Sequence, residues 1–142
     1  MRNVMLSLSR DRVLGFKEHP DFIKPELFEF NAIHEYLLHQ PDSVDENVLK
    51  YLKNGTNLAS HRGMDKDIFN DEKMILGTFS LYTDGYWIWH WYITYYYEHY
   101  RIALPFAFLQ TAQNNHFMIP DFNEEQRREL VRQMKEIFVY GS

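Results

Sequence analysis

The feature that most constrains this fold is a dense run of aromatic residues between Tyr82 and Tyr100. Ten of its nineteen positions hold Tyr or Trp, in the order Y-T-D-G-Y-W-I-W-H-W-Y-I-T-Y-Y-Y-E-H-Y. Alternating spacing is typical of a strand, whereas spacings of three and four are typical of a helix. The spacing changes from the first kind to the second near Trp91, so the run predicts a strand that leads into a helix. We expect these rings to form the centre of the core.

A tight turn is predicted at the start of this run. Asp84-Gly85 is a strong hairpin signal, because Gly adopts positive φ without a steric penalty. Thr83, Asp84 and Gly85 are therefore interpreted as turn residues between two strands that span about 74–91. With Asp84 and Gly85 as the loop, Tyr82 would face Trp87 and Leu81 would face Ile88. One sheet face would then carry Phe79, Leu81 and Ile88, and the other Thr78, Ser80, Tyr82, Trp87, Trp89 and Trp91.

Helical periodicity recurs on both sides of this hairpin. Helices are predicted over about 25–38, from the Ser43 capping box to a left-handed stop at Asn54-Gly55, from Pro105, and from near Asn123. The inward stripe of the last helix would be Leu130, Val131, Met134, Ile137 and Phe138. Alternation over residues 4–9 predicts a short strand. No repeat or linker interrupts the chain. We therefore expect a single α+β domain over 1–142, in which a short antiparallel sheet packs against several helices.

Composition excludes several classes of protein. The 142 residues suffice for one domain with a sizeable core, and the absence of cysteine excludes disulfides, thiol nucleophiles and thiolate zinc sites. Neither a signal peptide nor the run of about 20 apolar residues that a membrane span needs is visible, so we expect a cytoplasmic protein with no membrane partner. The net charge of −5 argues against a nucleic-acid partner and is compatible with a basic protein partner.

Residues 56–73 are interpreted as a long loop, and loops of that length often carry function. Its acidic members are Asp65, Asp67, Asp71 and Glu72. They lack the spacing of a calcium loop, although paired carboxylates can also hydrolyse glycosides. We expect a solvated loop, and contact with a protein partner is the next hypothesis.

The aromatic face of the hairpin has two interpretations. Tyr82, Trp87 and Trp89 would either be covered by helices, which we prefer, or be exposed as anchors for a protein partner or a small ligand. In the second case Glu98, His90 or His99 would supply polar groups. Base stacking is disfavoured, since no cluster of Lys and Arg flanks the rings.

No motif of a known reaction occurs in this chain. The His34-Glu35 pair is followed by His39, one residue too far for the H-E-x-x-H zinc pattern, and no phosphate-binding or dinucleotide motif is present. We therefore assign no catalytic, cofactor-binding or metal-ligating residues, and expect no cofactor.

Three stretches carry a resemblance to a known class of protein. They are I-L-G-T-F-S-L-Y-T-D-G-Y-W-I-W over 75–89, a Y-Y-x-E-x-Y helix over 95–100, and I-A-L-P-F-A-F over 102–108. Together they resemble small bacterial cytoplasmic proteins with a T-D-G-x-W-x-W hairpin, of the kind that act as immunity proteins against polymorphic or contact-dependent toxins. His90 stands where that pattern has a helix-starting Pro. The resemblance carries over no interface residues.

The expected function is therefore non-enzymatic. The resemblance implies an immunity protein that neutralises a cognate toxin by direct binding, and the acidic charge suggests a basic toxin domain as the partner. The alternative is a small-ligand-binding protein or enzyme that uses the aromatic face around Trp87 and Trp89.

Overall fold

Four strands form one mostly antiparallel sheet in the computed structural model, which describes residues 6–16 and 32–138, with backbone alone at 61–65, 71 and 73–79. The strands are β1 (Val13–Leu14), β2 (Thr56–Asp67), β3 (Asn70–Thr83) and β4 (Ile88–His90). Their order in the sheet is β1-β4-β3-β2, and only the β1–β4 pair is parallel. The predicted α+β class is confirmed.

The hairpin predicted at 74–91 exists, but its register was wrong by two residues. Tyr82 pairs with Trp89 and Thr83 pairs with Ile88. The loop therefore holds residues 84–87, and Trp87 belongs to the loop rather than to a strand. Because a shift of two residues keeps every side chain on its own face, the predicted separation of Leu81 and Ile88 from Tyr82 and Trp89 survives.

The long loop predicted over 56–73 is wrong. These residues form most of β2 and the start of β3, which pair from Thr56 opposite Thr83 to Asp67 opposite Asn70. The connection contains only Ile68 and Phe69, and the side chain of Asp67 holds it by accepting a hydrogen bond from Phe69 N–H at 2.8 Å. Neither loop residue is the Gly or Asn that marks most two-residue hairpins, so no turn signal was visible in the sequence.

Four α-helices cover the sheet: α1 (Glu46–Lys53), α2 (Trp91–Tyr100), α3 (Phe106–Asn114) and α4 (Glu124–Phe138). The capping box predicted at Ser43 is wrong, since Asp45 caps α1 by accepting hydrogen bonds from the backbone N–H groups of Asn47 and Val48. The left-handed stop predicted at Asn54-Gly55 is also absent, because φ of Asn54 is −94° and φ of Gly55 is not positive. Helix α2 begins at Trp91, where the aromatic spacing changes.

Two of the predicted secondary-structure elements differ from those in the structure. The strand expected over 4–9 is not formed at Leu6–Ser9, and β1 lies a few residues later; the first two positions of that prediction are outside the described residues. The helix expected over 25–38 appears as a 3₁₀-helix at Ile33–Leu37, and its earlier part also lies outside them. Within the part of the chain described, no helix combines the length and apolar character that a bilayer crossing requires.

The two faces of the sheet bury two separate hydrophobic clusters. Trp89 lies in the larger cluster, with the inward residues of α1, α2 and α3. Its strand neighbour Ile88 lies in the smaller cluster, with Leu81 and the inward stripe of α4. The alternation of a β-strand produces this division, and the predicted stripe of α4 is confirmed at Leu130, Met134, Ile137 and Phe138.

Candidate functional site

The predicted turn residues build a closed hydrogen-bond network. The Thr83 hydroxyl donates to the Trp87 carbonyl at 2.6 Å, and Asp84 Oδ1 accepts from the N–H groups of Tyr86 and Trp87 at 2.9 and 2.7 Å. Gly85 has φ of 94°, so it is confirmed as a turn residue that needs conformational freedom. Asp84 lies in the turn too, whereas Thr83 is the last residue of β3 and pairs with Ile88, so the loop has four residues instead of two.

The carboxylate of Asp84 is also tied to α1 and to the end of α3. Its Oδ2 accepts from the Tyr51 hydroxyl at 2.5 Å, which in turn accepts from Asn115 Nδ2 at 3.0 Å. Burial raises the pKa of Asp84, and its hydrogen bonds only partly offset this. Burial, followed by the charge of Asp84, raises the pKa of Tyr51. Since Asp84 is 3% exposed, this network holds the fold together and offers no carboxylate to solvent.

The aromatic residues proposed as partner anchors lie in the core. Trp89 is 0% exposed and donates its indole N–H to the Leu52 carbonyl at 3.2 Å, while Trp87 donates to the Thr111 hydroxyl at 3.1 Å. Tyr82 is half-buried. The preferred interpretation of burial is therefore confirmed for the two tryptophans, and neither ring can contact a partner in this conformation.

The polar groups of the alternative ligand site do not converge on these rings. His90 is buried, with Nδ1 2.9 Å from the Leu14 carbonyl oxygen. Glu98 forms an exposed ion pair with Lys53 at 3.1 Å, and His99 is exposed. Neither indole is hydrogen-bonded to any of these three polar groups, because their partners are Thr111 and Leu52.

The acidic residues predicted to share a solvated loop are distributed along two strands. Asp65 faces Ile75 across the ribbon, Asp71 lies in β3, and only their backbones are described. Glu72 is exposed. Asp67 contradicts the prediction most clearly, because it is 0% exposed. A continuous acidic loop is therefore not present for a partner to contact.

Asp67 instead fastens the hairpin tip to α2. Its Oδ2 accepts hydrogen bonds from the hydroxyls of Tyr95 and Tyr100, at 2.5 and 2.6 Å, and Tyr96 accepts from Ile68 N–H at 2.9 Å. The hydrogen bond to Asp67 raises the pKa of Tyr100 to about 12, and burial with the same carboxylate raises the pKa of Tyr95. Both phenols therefore remain protonated donors at neutral pH.

A groove between α1, α2 and α3 is the best candidate for a binding site. Its volume is about 590 Å³. The floor is formed by side chains from all three helices and from the segments after α2 and α3: Val48, Tyr97, Ile102, Leu104, Leu109 and Phe117. The rim is polar and exposed on one side, with His39, Asp42, Ser43, Asp45 and Gln113. An apolar floor with a few polar groups is typical of binding sites.

The most exposed large apolar side chains come from positions close in the chain to residues that line the groove. Of the five large apolar residues exposed in the described part of the chain, Leu38, Phe106 and Met118 are the most exposed, at 71%, 78% and 70%. Leu38 and Met118 are the chain neighbours of His39 and Phe117, which line the groove. Phe106 precedes Leu109 by three residues, about 60° away around α3. Apolar side chains clustered at a groove mark an interaction surface more often than scattered ones do.

One residue that lines the groove, Phe117, also has an unusual backbone conformation. Among the described residues other than Gly, only Arg101, His116 and Phe117 have positive φ, at 53°, 55° and 56°. Arg101 ends α2 directly before Ile102, and His116 and Phe117 end α3. Phe117 N–H donates to the Ala112 carbonyl at 2.8 Å and His116 N–H to the Gln113 carbonyl at 2.9 Å, as in a Schellman cap. Such conformations cost about 1–3 kcal/mol each and cluster at binding sites.

Nothing in the sequence pointed to this groove, because its residues come from segments far apart in the chain. The sequence feature that came nearest to indicating it was Phe106, a large apolar residue next to Pro105. Phe106 does not belong to the buried stripe of α3. In the described part of the chain, no three His, Asp or Glu residues are grouped so as to hold a metal ion. Comparison of the chain with protein-family models, curated proteins and solved structures found no match.

Proposed function

We propose that this protein is a non-enzymatic binding protein that neutralises a cognate toxin domain by direct contact through the groove. The observation that carries the proposal is the groove itself, with its apolar floor and polar rim. Its lining residues His39 and Phe117 are the chain neighbours of the exposed Leu38 and Met118, and Phe117 has a positive φ. A protein that stores strain and leaves large apolar side chains uncovered at one place is expected to bind a partner there.

The remaining polar features support binding rather than catalysis. The carboxylates of Asp67 and Asp84 are buried and hydrogen-bonded within the fold, and neither lines the groove. The groove itself presents two carboxylates, an imidazole, an amide and hydroxyls. Among the described residues Ser43 makes no hydrogen bond to His39, as a nucleophile activated by that base would. The resemblance of the T-D-G-Y-W-I-W hairpin to immunity proteins makes a toxin the preferred partner, and such a protein would act in the cytoplasm.

Burial of Trp89 weakens the alternative of a small-ligand site on the aromatic face. The hydrogen bonds of both tryptophan indoles are made inside the core, so a ligand could reach these rings only after the helices separate. The groove has a volume within the range of roughly 300–1,000 Å³ that small-molecule sites occupy, and a ligand there is a distinct outcome of the tests below.

Co-production with the protein encoded by the neighbouring gene tests the proposal. We expect the chain to restore growth to cells that produce that protein and to bind it in a one-to-one complex by calorimetry. If the purified chain neither binds the neighbouring product nor protects cells that make it, the proposed function is wrong. Binding of a metabolite that displaces no protein would favour the ligand-binding alternative.

A further inference from the structure

We infer that the groove accepts a basic segment of the partner, in which a large apolar side chain is flanked by Lys or Arg. This inference rests on the proposed function and assigns the chemistry of the partner's contact. It follows from the charge of the rim, the apolar character of the floor and the hydroxyl of Tyr97, which lines the groove.

The rim carries two carboxylates, that of Asp42 and that of Asp45, which also caps α1. Asp42 and Asp45 are exposed, and neither carboxylate makes an ion pair with a described Lys or Arg. No Lys or Arg lines the groove; Arg101 lies outside it, with its guanidinium donating to the Asp42 backbone carbonyl. A cationic side chain at the rim is therefore favoured over an anionic one.

The floor selects an apolar side chain. Ile102 and Leu104 are buried, and Leu109 and Phe117 complete a surface without charged groups. Burying a side chain the size of Leu or Phe there would contribute about 2 kcal/mol. Because Phe117 reaches the floor only through the positive φ of His116 and of Phe117 itself, the strained cap of α3 shapes this surface.

Tyr97 provides a donor that suits a peptide. This side chain is 4% exposed, lines the groove, and accepts a hydrogen bond from Asp45 N–H at 3.0 Å. Its own proton has no acceptor among the described residues. A peptide carbonyl oxygen at the rim would accept a hydrogen bond from this hydroxyl, whereas an aliphatic ligand has no acceptor atom. Together the three features favour a peptide over a purely apolar small molecule.

Peptide display on three forms of the full chain tests this inference. The probe is a phage library of random 12-residue peptides, panned against the wild type, against Ala103→Phe, and against Ala107→Phe. Ala103 lines the groove and is half-buried, so a Phe there fills it. Ala107 is exposed about 160° around α3 from Leu109, which makes the same substitution there a matched control.

We expect the wild type and Ala107→Phe to enrich peptides with Lys or Arg beside a large apolar residue, and Ala103→Phe to lose them. The double variant Asp42→Asn/Asp45→Asn should weaken binding of an enriched peptide by about 10-fold, since two exposed ion pairs are removed. Asn at 45 keeps the α1 cap, so this variant remains folded. Thermal unfolding of each variant verifies its fold.

Enrichment of acidic or neutral peptides, equal enrichment on Ala103→Phe, or no enrichment above a blank surface would overturn the inference. These outcomes are separate from failure of the proposed function. If the Ala103→Phe variant still protects cells from the toxin, the protein has the proposed function but the groove is not its binding site. A wild type that neither binds nor protects refutes the function itself.

Discussion

Gly55 lies so close to the indole of Trp89 that a Cβ atom at Gly55 would stand 2.5 Å from Trp89 Cζ2. The second residue after α1 must therefore lack a side chain, so that the indole of Trp89 can occupy its place in the core. Because φ of Gly55 is not positive, the requirement concerns space and not backbone conformation. The isolated glycine that looked like a helix stop in the sequence is a packing position.

Gly55→Ala is therefore expected to destabilise the protein. The added methyl group displaces a fully buried ring, and overpacking of this kind costs about 1–3 kcal/mol. Urea denaturation followed by tryptophan fluorescence measures the change. Asn54→Ala, one residue earlier and exposed, is the control and should change the free energy of unfolding by less than about 0.5 kcal/mol. Equal effects of the two substitutions would show that Trp89 does not press on Gly55.

The tyrosine contacts of Asp67 predict loss of stability at high pH. The folded pKa of Tyr100 is about 12, above the value of about 10 expected in the unfolded chain. Its contribution to stability is thus fully present below pH ~10 and is lost as the pH rises through the folded pKa. NMR titration of ring-labelled tyrosine should show Tyr100 titrating late in the wild type.

Asp67→Asn should move that titration back towards the ordinary tyrosine value. The carboxylate is the principal cause of the raised pKa, and Asn removes its charge while keeping an acceptor oxygen. Hydrogen exchange at Ile68, whose N–H donates to Tyr96, should quicken as the hairpin tip loosens. An unchanged Tyr100 titration in Asp67→Asn would contradict the contact between them.

Asp84 predicts a different dependence on pH. Burial raises its folded pKa, so the stability it contributes is fully present below the unfolded pKa of about 3.9 and is lost as the pH rises through the folded value. Asp84→Asn removes this dependence of stability on pH, while the side-chain amide can still form hydrogen bonds with Tyr51 and with the backbone N–H groups of the turn. We expect the stability of Asp84→Asn relative to the wild type to increase from pH 4 to pH 7.

Asp84→Ala supplies the contrast for that comparison. It leaves two backbone N–H groups and the Tyr51 hydroxyl without their acceptor, so it should be less stable than Asp84→Asn by about 2 kcal/mol at any pH in this range. If Asp84→Asn and Asp84→Ala have the same free energy of unfolding at neutral pH, the hydrogen bonds of Asp84 do not stabilise the turn.

His116→Gly tests the strain at the groove. Gly tolerates the φ of 55° that His116 adopts, so relief of strain should raise the free energy of unfolding by about 1 kcal/mol. His116→Ala keeps the strain and should leave stability close to that of the wild type, as His116 is exposed. Thermal and chemical denaturation would compare the three. A loss of stability in His116→Gly would mean that the cap of α3 stores no strain.

Prediction from the sequence succeeded where one segment alone decides the structure. The change of period at Trp91 marked the start of α2, and the apolar stripe of α4 was identified because its burial follows the helical repeat. The faces of the β3–β4 hairpin were right even though its register was not, because side-chain alternation survives a shift of two residues.

Features that depend on distant contacts were missed. The β2–β3 hairpin turns through Ile68-Phe69 and is held by a buried carboxylate, which no local turn signal announces. The acidic residues looked solvated because the phenols of Tyr95 and Tyr100 that bury Asp67 come from another element. The groove combines His39, Tyr97 and Phe117, which only the tertiary fold brings together.

The most direct test of the groove as the contact surface is affinity capture from the native host with the wild type, Ala103→Phe and Ala107→Phe in parallel. Quantitative mass spectrometry would compare what each form retains. The account predicts a stoichiometric protein partner, encoded beside this chain, that is retained by the wild type and Ala107→Phe and lost by folded Ala103→Phe. The same partner at equal abundance on all three forms would contradict it.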